Sequence, residues 1–527
     1  MQRSSLPPYG RMQRQVRATA TEVAGGLLCE AGCLWIWHAS PRLTAIYNAD
    51  FTREFFSAAP WLAPLADAGT SLDAGQSVAW LLAGFAAMTA GYVLALLSGR
   101  TVTAWVTVGF AGLFRVTLGL LPGLFSTDVF SYVMYGRIAA VHGQNPYVTP
   151  PSAFPDDPFL AWVFPFWRDQ PSVYGPLWTD LGQALSAATR DWSPFGQVLA
   201  YRAGVTAAET ASLAALWWLL GRVASRDRPR LWLVYAWNPL VVFDLVGAAH
   251  NDALMLALLL LGLVCVMARR DVGFVLGLGF VALSALVKFA TALAVPLLAV
   301  AWAAQSRRGW PRAARLGIGL GMPLVIAVAL WWPWLASVPG AYWPIGGAAG
   351  GRLVLNSASD LVALSVADQL LVPRGLAPDA AHDLARFWVR LLTRGAFALW
   401  FGWELVRVWR THATPAHVHG AAARLLLGLP LLVLTWVWSW YFSWALALAV
   451  VDGSAKLVRL VIAYTLVALP VVYAHQYLAQ QLPGEWVLLM AIAPLLVLVP
   501  AGSGRARRGY GSQRPTAQPQ PVPAGER

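Results

Sequence analysis

The segment LFSTDVFSYVMYGRIAAVHGQNPY, residues 124–147, places an acid and several polar aromatic residues in an otherwise apolar chain. Asp128 follows Thr127, a residue type that favours a helix N-cap. No proline and a single glycine occur from there to His142, so the sequence predicts a short interfacial helix that begins at Asp128. With about 100° per residue, one face of this helix carries Asp128, Ser131, Tyr132, Tyr135 and His142. A carboxylate there could accept a proton as a general base, or it could be an ordinary first-turn acid favoured by the helix dipole.

Aromatic side chains near this acid could stack on sugar rings, because the C–H faces of a sugar are apolar. Tyr132 and Tyr135 lie on the same predicted helix face as the acid. Tyr174 and Trp178 flank the Gly-Pro turn of SVYGPLW, and Tyr441 lies in the later motif WSWYFSW. Aromatic residues are also common at the boundary between lipid and water, so substrate binding and interfacial anchoring both remain open for them.

A second polar cluster, His250, Asn251 and Asp252, lies where two apolar runs meet in WNPLVVFDLVGAAHNDALM. A capped turn that starts the second apolar helix would explain these residue types, and so would ligand binding at the membrane surface. Asp244 lies within the first of the two runs, and an acid inside a membrane segment is a candidate functional residue by default.

Lysine is rare in this chain, which makes Lys288 unusual. Lys and Arg together number 38, and the only lysines are Lys288 and Lys456. Lys288 lies between two apolar runs in LSALVKFATALAVP, where its side chain could extend toward the interface or bind a phosphate group. A lysine ammonium is a compact positive charge that suits a phosphate.

The rest of the chain must position these residues within a membrane. Hydrophobic residues make up 58% of the 527 residues and charged residues 12%. Apolar runs of about 17 to 25 residues match a transmembrane helix, and the alternation expected of a β-barrel is absent. The sequence therefore predicts an all-α, polytopic membrane protein with about 13–14 transmembrane helices. The three cysteines lie within apolar runs, which argues against a disulfide framework or a metal cluster.

The distribution of charge predicts the orientation in the membrane. With both termini in the cytoplasm, arginines concentrate in the inner loops and most acids fall on the outer side. The net charge of +13 therefore reflects topology and contact with anionic membrane lipid, and it does not indicate nucleic-acid binding. Two outer segments, 122–197 and 333–383, are much longer than connectors, so an active site is expected on the extracytoplasmic side of the cell membrane. No small-residue cleavage site follows the first apolar run, so no cleavable signal peptide is expected.

The motifs DVFSYVMYGRIAAVHGQNPY, YGPLW, WNPLVVFDLVGAAHNDALM, ALVKF and WYFSW occur in this order. Together they resemble the integral-membrane glycosyltransferases of the GT-C superfamily, most closely the bacterial polyprenyl-phosphate-mannose-dependent α-1,6-mannosyltransferases. The resemblance covers residues 122–305 and 438–446, and elsewhere only hydropathy matches. With the hydropathy pattern it divides the chain into a basic cytoplasmic N-terminus at 1–21, a GT-C-like catalytic membrane module at 22–305, C-terminal membrane helices at 306–501 and a disordered cytoplasmic tail at 502–527.

The resemblance implies an enzyme of the cell envelope, a hexosyltransferase that acts outside the membrane with inversion at the anomeric carbon. The donor would be a polyprenyl-phosphate sugar, and the acceptor would be a hydroxyl of a glycan or glycolipid. Asp128 would be the general base that takes the proton of this hydroxyl. Lys288 would stabilise the leaving phosphate, with Arg137 or His250 as alternatives.

The resemblance also implies that Asn251 and Asp252 join the aromatic residues in binding substrate. One departure concerns the acid, since many members of the superfamily carry paired acids at the base position. Asp128 instead has Thr127 and Val129 as its neighbours. No divalent metal and no other cofactor is therefore expected.

Other functions remain open at this level. The transferred sugar could be mannose, glucose or arabinose, because each would need the same base and the same phosphate-binding cation. A transporter or flippase of lipid-linked sugar would also have many helices. Transporters usually show two related halves and charges near the middle of the membrane, whereas this sequence shows no repeat and its polar motifs fall on one side. A scaffold protein would give no reason for Asp128, His250 and Lys288 to converge.

Overall fold

The structure is a computed structural model that describes residues 8–65, 73–98, 102–267, 270–305, 310–336, 355–411, 415–478 and 486–498. Within these ranges the only β pairing is an isolated parallel bridge between Leu355 and Trp436. The predicted disordered tail, 502–527, lies outside the described residues. The α-helices are α1 (Pro8–Leu43), α2 (Ala45–Ala58), α3 (Ala74–Leu97), α4 (Ala104–Gly119), α5 (Asp128–Ala140), α6 (Pro165–Arg168), α7 (Pro176–Ala188), α8 (Pro194–Val223), α9 (Arg228–Ala236), α10 (Asp252–Val266), α11 (Asp271–Ala285), α12 (Ala294–Ala304), α13 (Arg312–Ala336), α14 (Ala358–Val366), α15 (Pro378–Arg410), α16 (Pro415–Leu432), α17 (Phe442–Asp452), α18 (Ala455–Leu478) and α19 (Trp486–Ile492).

Several helices have the length and composition of membrane spans. Among the described residues, four helices are long and apolar enough to cross a membrane, namely α3, α8, α13 and α18. The π-helical turn Val241–Gly247 and α10 meet the same criterion as a pair, and they are bent by 112°. Five shorter apolar helices of 10–17 residues accompany them. The all-α, polytopic membrane fold is therefore confirmed, while the total number of spans and their orientation stay predictions.

A buried ion pair connects the two helices on either side of the segment 122–197. Arg115 in α4 donates from Nε and Nη2 to the Glu209 carboxylate in α8, each at 2.6 Å. Arg115 Nη1 also donates to the carbonyl oxygen of Ala236 at 2.9 Å. Removing either ion would leave the other buried without compensation, so the pair fixes α4 and α8 relative to each other.

Helix α5 begins at Asp128, as the sequence predicts. Thr127 occupies the N-cap position, but its side chain makes no capping hydrogen bond. All residues from 129 to 139 are buried, so the protein encloses this helix on every side rather than leaving one polar face open. The helix packs closely on its neighbours because position 136 is glycine, where a Cβ would clash with Tyr201 Oη in α8.

The loop between α6 and α7 is tied to the turn that carries Lys288. Gly175 N donates to Val287 O at 3.1 Å, and Leu177 N donates to Leu286 O at 3.1 Å. A Cβ at position 175 would overlap with the Leu286 carbonyl group, so this approach requires glycine. The Gly-Pro turn therefore brings the aromatic residues of SVYGPLW close to the lysine.

A sharp bend carries residues 250–252 into the interior. The π-helical turn Val241–Gly247 is followed by Ala249, whose φ is +59°, and α10 then departs at 112° to the turn. A positive φ is strained for alanine, and π-helical turns often occur at functional sites. All three residues of the tripeptide are completely buried. The strained bend thus places a polar tripeptide where apolar helices meet.

Candidate active site

The Asp128 carboxylate lies at the N-terminal end of α5, where the helix dipole favours a negative charge. Its Oδ2 atom is 3.5 Å from His250 Nδ1 and 3.4 Å from Tyr132 Oη. The Asp128 side chain keeps 19% of its surface exposed, whereas the His250 side chain is completely buried. A substrate can therefore reach the acid, and the histidine contacts the acid from the protein interior.

Tyr132 links the acid to the polar tripeptide. Its Oη atom is 3.4 Å from both Asp128 Oδ2 and Asn251 Oδ1, and the Asn251 N–H donates to it at 3.5 Å. Burial raises the pKa of the Tyr132 phenol well above its usual value, and the charges of Asp128 and Asp252 raise it further. The phenol therefore stays protonated and can donate a hydrogen bond to either oxygen.

Lys288 is held by a buried acid and two aromatic rings. Its Nζ atom donates to both carboxylate oxygens of Asp252, at 3.1 and 2.9 Å, and Trp444 Nε1 donates to the same carboxylate at 2.6 Å. The Nζ atom also lies 4.8 Å from the centroid of the Tyr441 ring. Asp252 is completely buried, while the Lys288 side chain keeps 20% of its surface exposed. The ammonium group can therefore contact a ligand without leaving the carboxylate.

Polar atoms without hydrogen-bond partners gather beside the acid. The His250 ring stacks on the Trp440 ring with centroids 3.6 Å apart. Buried polar atoms are normally paired, so a group of unpaired ones indicates a site built to bind a polar ligand. Within the described part of the chain, the unpaired buried atoms of this group are Ser131 Oγ, His250 Nδ1, His250 Nε2, Asn251 Nδ2 and Trp440 Nε1.

Four of the five aromatic residues predicted to bind substrate form one cluster next to the acid, and the fifth, Tyr441, lies beside Lys288. Tyr132 packs edge to face against Tyr174 and Trp178, with ring centroids 4.9 and 5.0 Å apart. The ring centroids of Tyr135 and Tyr174 are 6.3 Å apart, and Tyr135 Oη donates to Gln170 O at 2.9 Å. The structure therefore brings together aromatic residues from α5 and from the start of α7.

A family model for the N-terminal domain of alpha-(1->6)-mannopyranosyltransferases matches residues 16–304 of this chain. The match covers more than half of the 527 residues and includes Asp128, the tripeptide 250–252 and Lys288. The chain belongs to the alpha-(1->6)-mannopyranosyltransferase family. No solved structure matches it.

Curated relatives from corynebacteria and mycobacteria match shorter stretches of this family member. Alpha-(1->6)-mannopyranosyltransferase A of Corynebacterium glutamicum is 31% identical over 33% of this chain and 34% of its own length. Alpha-(1->6)-mannopyranosyltransferase B of the same organism is 32% identical over 33% of this chain and 27% of its own length. Alpha-(1->6)-mannopyranosyltransferase A of Mycobacterium tuberculosis is 27% identical over 44% of this chain and 45% of its own length. The chain thus spans less than half of the length of each of these relatives.

In this family member, Arg137, an alternative to Lys288 for binding the phosphate, is paired with a second acid, Asp157. Its guanidinium donates to the Asp157 carboxylate at 2.9–3.1 Å and to Gln197 at 3.3 Å, and the arginine is 6% exposed. His142 Nε2 lies 2.7 Å from the same carboxylate. Arg137 lies within α5, whereas His142 follows the end of this helix at Ala140, and both side chains reach Asp157. Burial raises the pKa of Asp157, but hydrogen bonds from Arg137, a backbone N–H and His142 outweigh burial and bring the pKa below its usual value.

Two tryptophans of the site were not predicted from the sequence. Trp440 stacks on His250, and Trp444 donates to Asp252. Both lie in WSWYFSW, where only Tyr441 was predicted to bind substrate. Trp444 follows Tyr441 by three residues, which places both rings on one helix face, and the rings stack with centroids 4.4 Å apart. That spacing was the available signal for Trp444.

Asp244, the acid predicted inside a membrane segment, is fixed by other residues. Ser439 Oγ and Tyr473 Oη both donate to its carboxylate at 2.8 Å. These contacts tie the π-helical turn to α18 and to the segment before α17. The described residues contain no group of three or more His, Cys, Asp or Glu side chains that could hold a metal ion. The absence of a metal cofactor stays a prediction.

An apolar cavity adjoins the candidate active site of this family member. It has a volume of about 430 Å³ and lies between α7, α8 and the start of α10. Trp178, Leu185 and Val205 contribute to its walls. Leu254 also lines it and follows Asp252 by two residues in α10. Trp178 also packs against Tyr132 with ring centroids 5.0 Å apart. The cavity therefore begins beside the polar site and continues along apolar helices.

Proposed function

We propose that this protein transfers mannose from a polyprenyl-phosphate donor to a hydroxyl of a glycan or glycolipid acceptor. The observation that carries the proposal is the partly exposed Asp128 carboxylate, which lies among unpaired polar atoms near a lysine that remains accessible. The sugar and the α-1,6 linkage are taken from the names of the relatives. The topology predicted from charge puts this reaction on the extracytoplasmic side of the cell membrane.

In this reaction Asp128 is the general base. The acceptor hydroxyl gives its proton to the Asp128 carboxylate, and its oxygen forms a bond to the anomeric carbon of the donor. The bond between that carbon and the phosphate oxygen breaks, and polyprenyl phosphate leaves with the electron pair. Attack from the opposite face inverts the anomeric carbon, so an α-linked product requires a β-linked donor.

Lys288 stabilises the charge that grows on the leaving phosphate. Its ammonium has three N–H donors, so it can keep Asp252 and bind a phosphate oxygen at the same time. His250 has no exposed surface and lies 3.5 Å from Asp128, so we assign it to positioning the base rather than to binding phosphate. The chemistry then needs only groups of this chain and the two substrates.

The polyprenyl chain of the donor needs an apolar binding site next to the phosphate. The cavity of about 430 Å³ between α7, α8 and α10 supports this part of the proposal. It begins at Trp178 and Leu254, close to Tyr132 and Asp252, and its walls are largely apolar. A lipid there would hold the sugar phosphate beside Asp128 and Lys288, which lowers the entropic cost of the reaction.

The direct test is transfer by the purified protein. Protein in detergent would be incubated with radiolabelled polyprenyl-phosphate mannose and a short α-mannoside, and the linkage of the labelled product would be determined. We expect an α-1,6 product whose formation is lost in Asp128→Asn. Asp156→Asn is the matched control, because Asp156 is an exposed acid of the same outer segment.

Two results would count against the proposal. Near-normal transfer by folded Asp128→Asn would remove the base assignment. Transfer of glucose or arabinose in preference to mannose would show that the proposed sugar is wrong. Transport of labelled lipid across a vesicle membrane without any glycosidic product would show that the protein is a transporter and not a transferase.

A further inference from the structure

Three tryptophans at alternate positions precede α17. Trp436, Trp438 and Trp440 belong to the segment LTWVWSWY, and none of them entered the predicted site. Side chains two residues apart point to the same side of an extended chain. The backbone is extended at Trp438 (φ −121°, ψ 159°), whereas Trp440 lies in the 3-10 helix Ser439–Tyr441. Contacts between the rings nevertheless place the three indoles in a row, which we call the tryptophan ladder.

The backbone of the ladder is fixed by the chain around residue 355. Leu355 N donates to Thr435 O, and Val437 N donates to Leu355 O, both at 2.9 Å. Asn356 Nδ2 donates to Val437 O at 3.1 Å. Because these polar groups are paired, the indoles are held in place before any ligand arrives.

The inner end of the ladder reaches the general base. Ring centroids of Trp436 and Trp438 are 6.0 Å apart, and those of Trp438 and Trp440 are 4.9 Å apart. Trp440 stacks on His250 at 3.6 Å, and His250 Nδ1 lies 3.5 Å from Asp128 Oδ2. The row of rings thus ends at the carboxylate that would activate an acceptor hydroxyl.

The outer end of the ladder is accessible. Phe166 in α6 stacks on Trp436 with centroids 6.1 Å apart and keeps 39% of its surface exposed. Trp436 and Trp438 are half-buried, whereas Trp440 is 3% exposed. Arg168 donates to two carbonyl oxygens of the preceding turn, which fixes α6 relative to that turn. Exposure therefore decreases along the ladder toward Asp128.

We propose that the ladder, extended by Phe166, binds the acceptor glycan and directs its terminal sugar to Asp128. Aromatic rings bind the apolar C–H faces of neutral sugars, and the half-buried Trp436 and Trp438 offer ring surface for this contact. The Trp440 ring is covered by Trp438 and His250, so it contributes only its unpaired Nε1 atom, which can donate to a sugar hydroxyl. An extended row of rings favours an acceptor of several sugar residues over a single sugar. The proposal rests on the proposed mannosyl transfer only for the identity of the reaction, since binding needs no donor.

The kinetic test compares acceptors of different length. Trp436→Ala and Trp438→Ala would be assayed with a methyl mannoside and with an α-1,6-linked tetramannoside. We expect kcat/KM for the tetramannoside to fall about tenfold in each variant and kcat/KM for the monosaccharide to change less than about twofold. Trp332→Ala is the matched control, because Trp332 is 66% exposed on the apolar helix α13 and should leave both values unchanged.

The same loss with both acceptors would overturn the ladder as a glycan site. So would an equal loss in Trp332→Ala, since that result would assign the ladder tryptophans to general anchoring at the membrane interface.

A second measurement separates the ladder from the reaction. Calorimetric titration of the detergent-purified protein with tetramannoside, without donor, should show binding that is weakened about tenfold in Trp438→Ala and kept in Trp332→Ala. If the unaltered protein binds tetramannoside but transfers no mannose, the proposed function fails and the ladder stands. If it transfers mannose and Trp438→Ala binds tetramannoside as tightly as the unaltered protein, the ladder fails and the proposed function stands.

Discussion

The two ends of helix α5 carry charged groups in opposite states. At the N-terminal end, Asp128 makes long contacts of 3.4 and 3.5 Å with Tyr132 and His250, and its side chain stays 19% exposed. Toward the C-terminal end, Arg137 and the Asp157 carboxylate are buried and joined by three hydrogen bonds of 2.9–3.1 Å. A single helix of 13 residues thus separates an incompletely paired acid from a fully paired ion pair.

Hydrogen bonding and exposure distinguish structural from functional charged residues in this apolar chain. A buried charge with short, complete hydrogen bonds has its interactions satisfied by the protein, so removing its partner should mainly destabilise the fold. A charge left partly exposed among unpaired polar atoms can still interact with a substrate, so changing it should mainly affect the reaction. The comparison therefore predicts that Asp128 variants lose activity and Asp157 variants lose stability.

The largest expected effect is on catalysis at the N-terminal end. Asp128→Asn keeps the size and most hydrogen bonds of the side chain but cannot accept the proton of the acceptor. We expect the transfer rate to fall by about 10²- to 10⁴-fold, the usual contribution of a general base, while the thermal unfolding temperature changes little. Single-turnover rates and thermal melts of the same preparation check both parts. If Asp128→Asn unfolds at a much lower temperature than the unaltered protein, Asp128 contributes to stability as Asp157 does, and the predicted difference between the two acids is wrong.

The next effect is on stability at the C-terminal end. Asp157→Asn leaves the Arg137 guanidinium buried without a counter-charge, so we expect the free energy of unfolding to fall by about 3–5 kcal/mol. Denaturant titration in detergent measures this change. Gln197→Leu is a milder comparison, because it removes two neutral contacts, one to Arg137 at 3.3 Å and one to Trp192 O at 3.1 Å, and leaves the counter-charge of Arg137 in place. A stable Asp157→Asn variant with greatly reduced transfer would reverse the proposed roles of the two ends.

A smaller effect is expected on kcat/KM for the donor when its phosphate-binding residue is changed. Lys288→Met should lower kcat/KM for the polyprenyl-phosphate donor by about 10- to 100-fold, because one charge-assisted hydrogen bond to phosphate is lost. The KM for acceptor should stay unchanged. Since Lys288→Met also leaves the buried Asp252 carboxylate without its counter-charge, the double variant with Asp252→Asn is the control for stability. Equal changes for donor and acceptor would remove the phosphate assignment, and Lys288→Arg should restore part of the donor use.

The smallest effect concerns acid stability. The pKa of Asp157 lies below its usual value, because hydrogen bonds to its charged form outweigh burial. Its stabilising contribution is therefore complete above the unfolded-state pKa of about 4 and is lost as pH falls through the folded-state pKa. Thermal melts between pH 3 and 6 should show that the unfolding temperature of the unaltered protein decreases as pH falls, and that it decreases less in Asp157→Asn. An equal decrease in both proteins would mean that other carboxylates control stability at acid pH.

The sequence by itself determined the features that depend on local patterns. Apolar runs indicated the all-α membrane fold, because the cost of unpaired backbone groups in lipid leaves helices as the solution for such runs. Residue types around Asp128 predicted where α5 begins, because helix propensity acts within a few residues, although Thr127 makes no capping hydrogen bond. The rarity of lysine identified Lys288, which the structure places beside Asp252.

Only the tertiary structure decided which charges are paired and which remain available. Asp252 meets Trp444 across 192 positions of the chain, and Tyr132 meets Asn251 across 119. Such partners are set by the strained bend before α10 and by close approaches at Gly136 and Gly175, and no local pattern reports them. Arg137 and Asp128 were both polar residues of one predicted helix. Long-range packing gave one a complete set of partners and left the other partly exposed, because burial and hydrogen bonding depend on every element that surrounds a side chain.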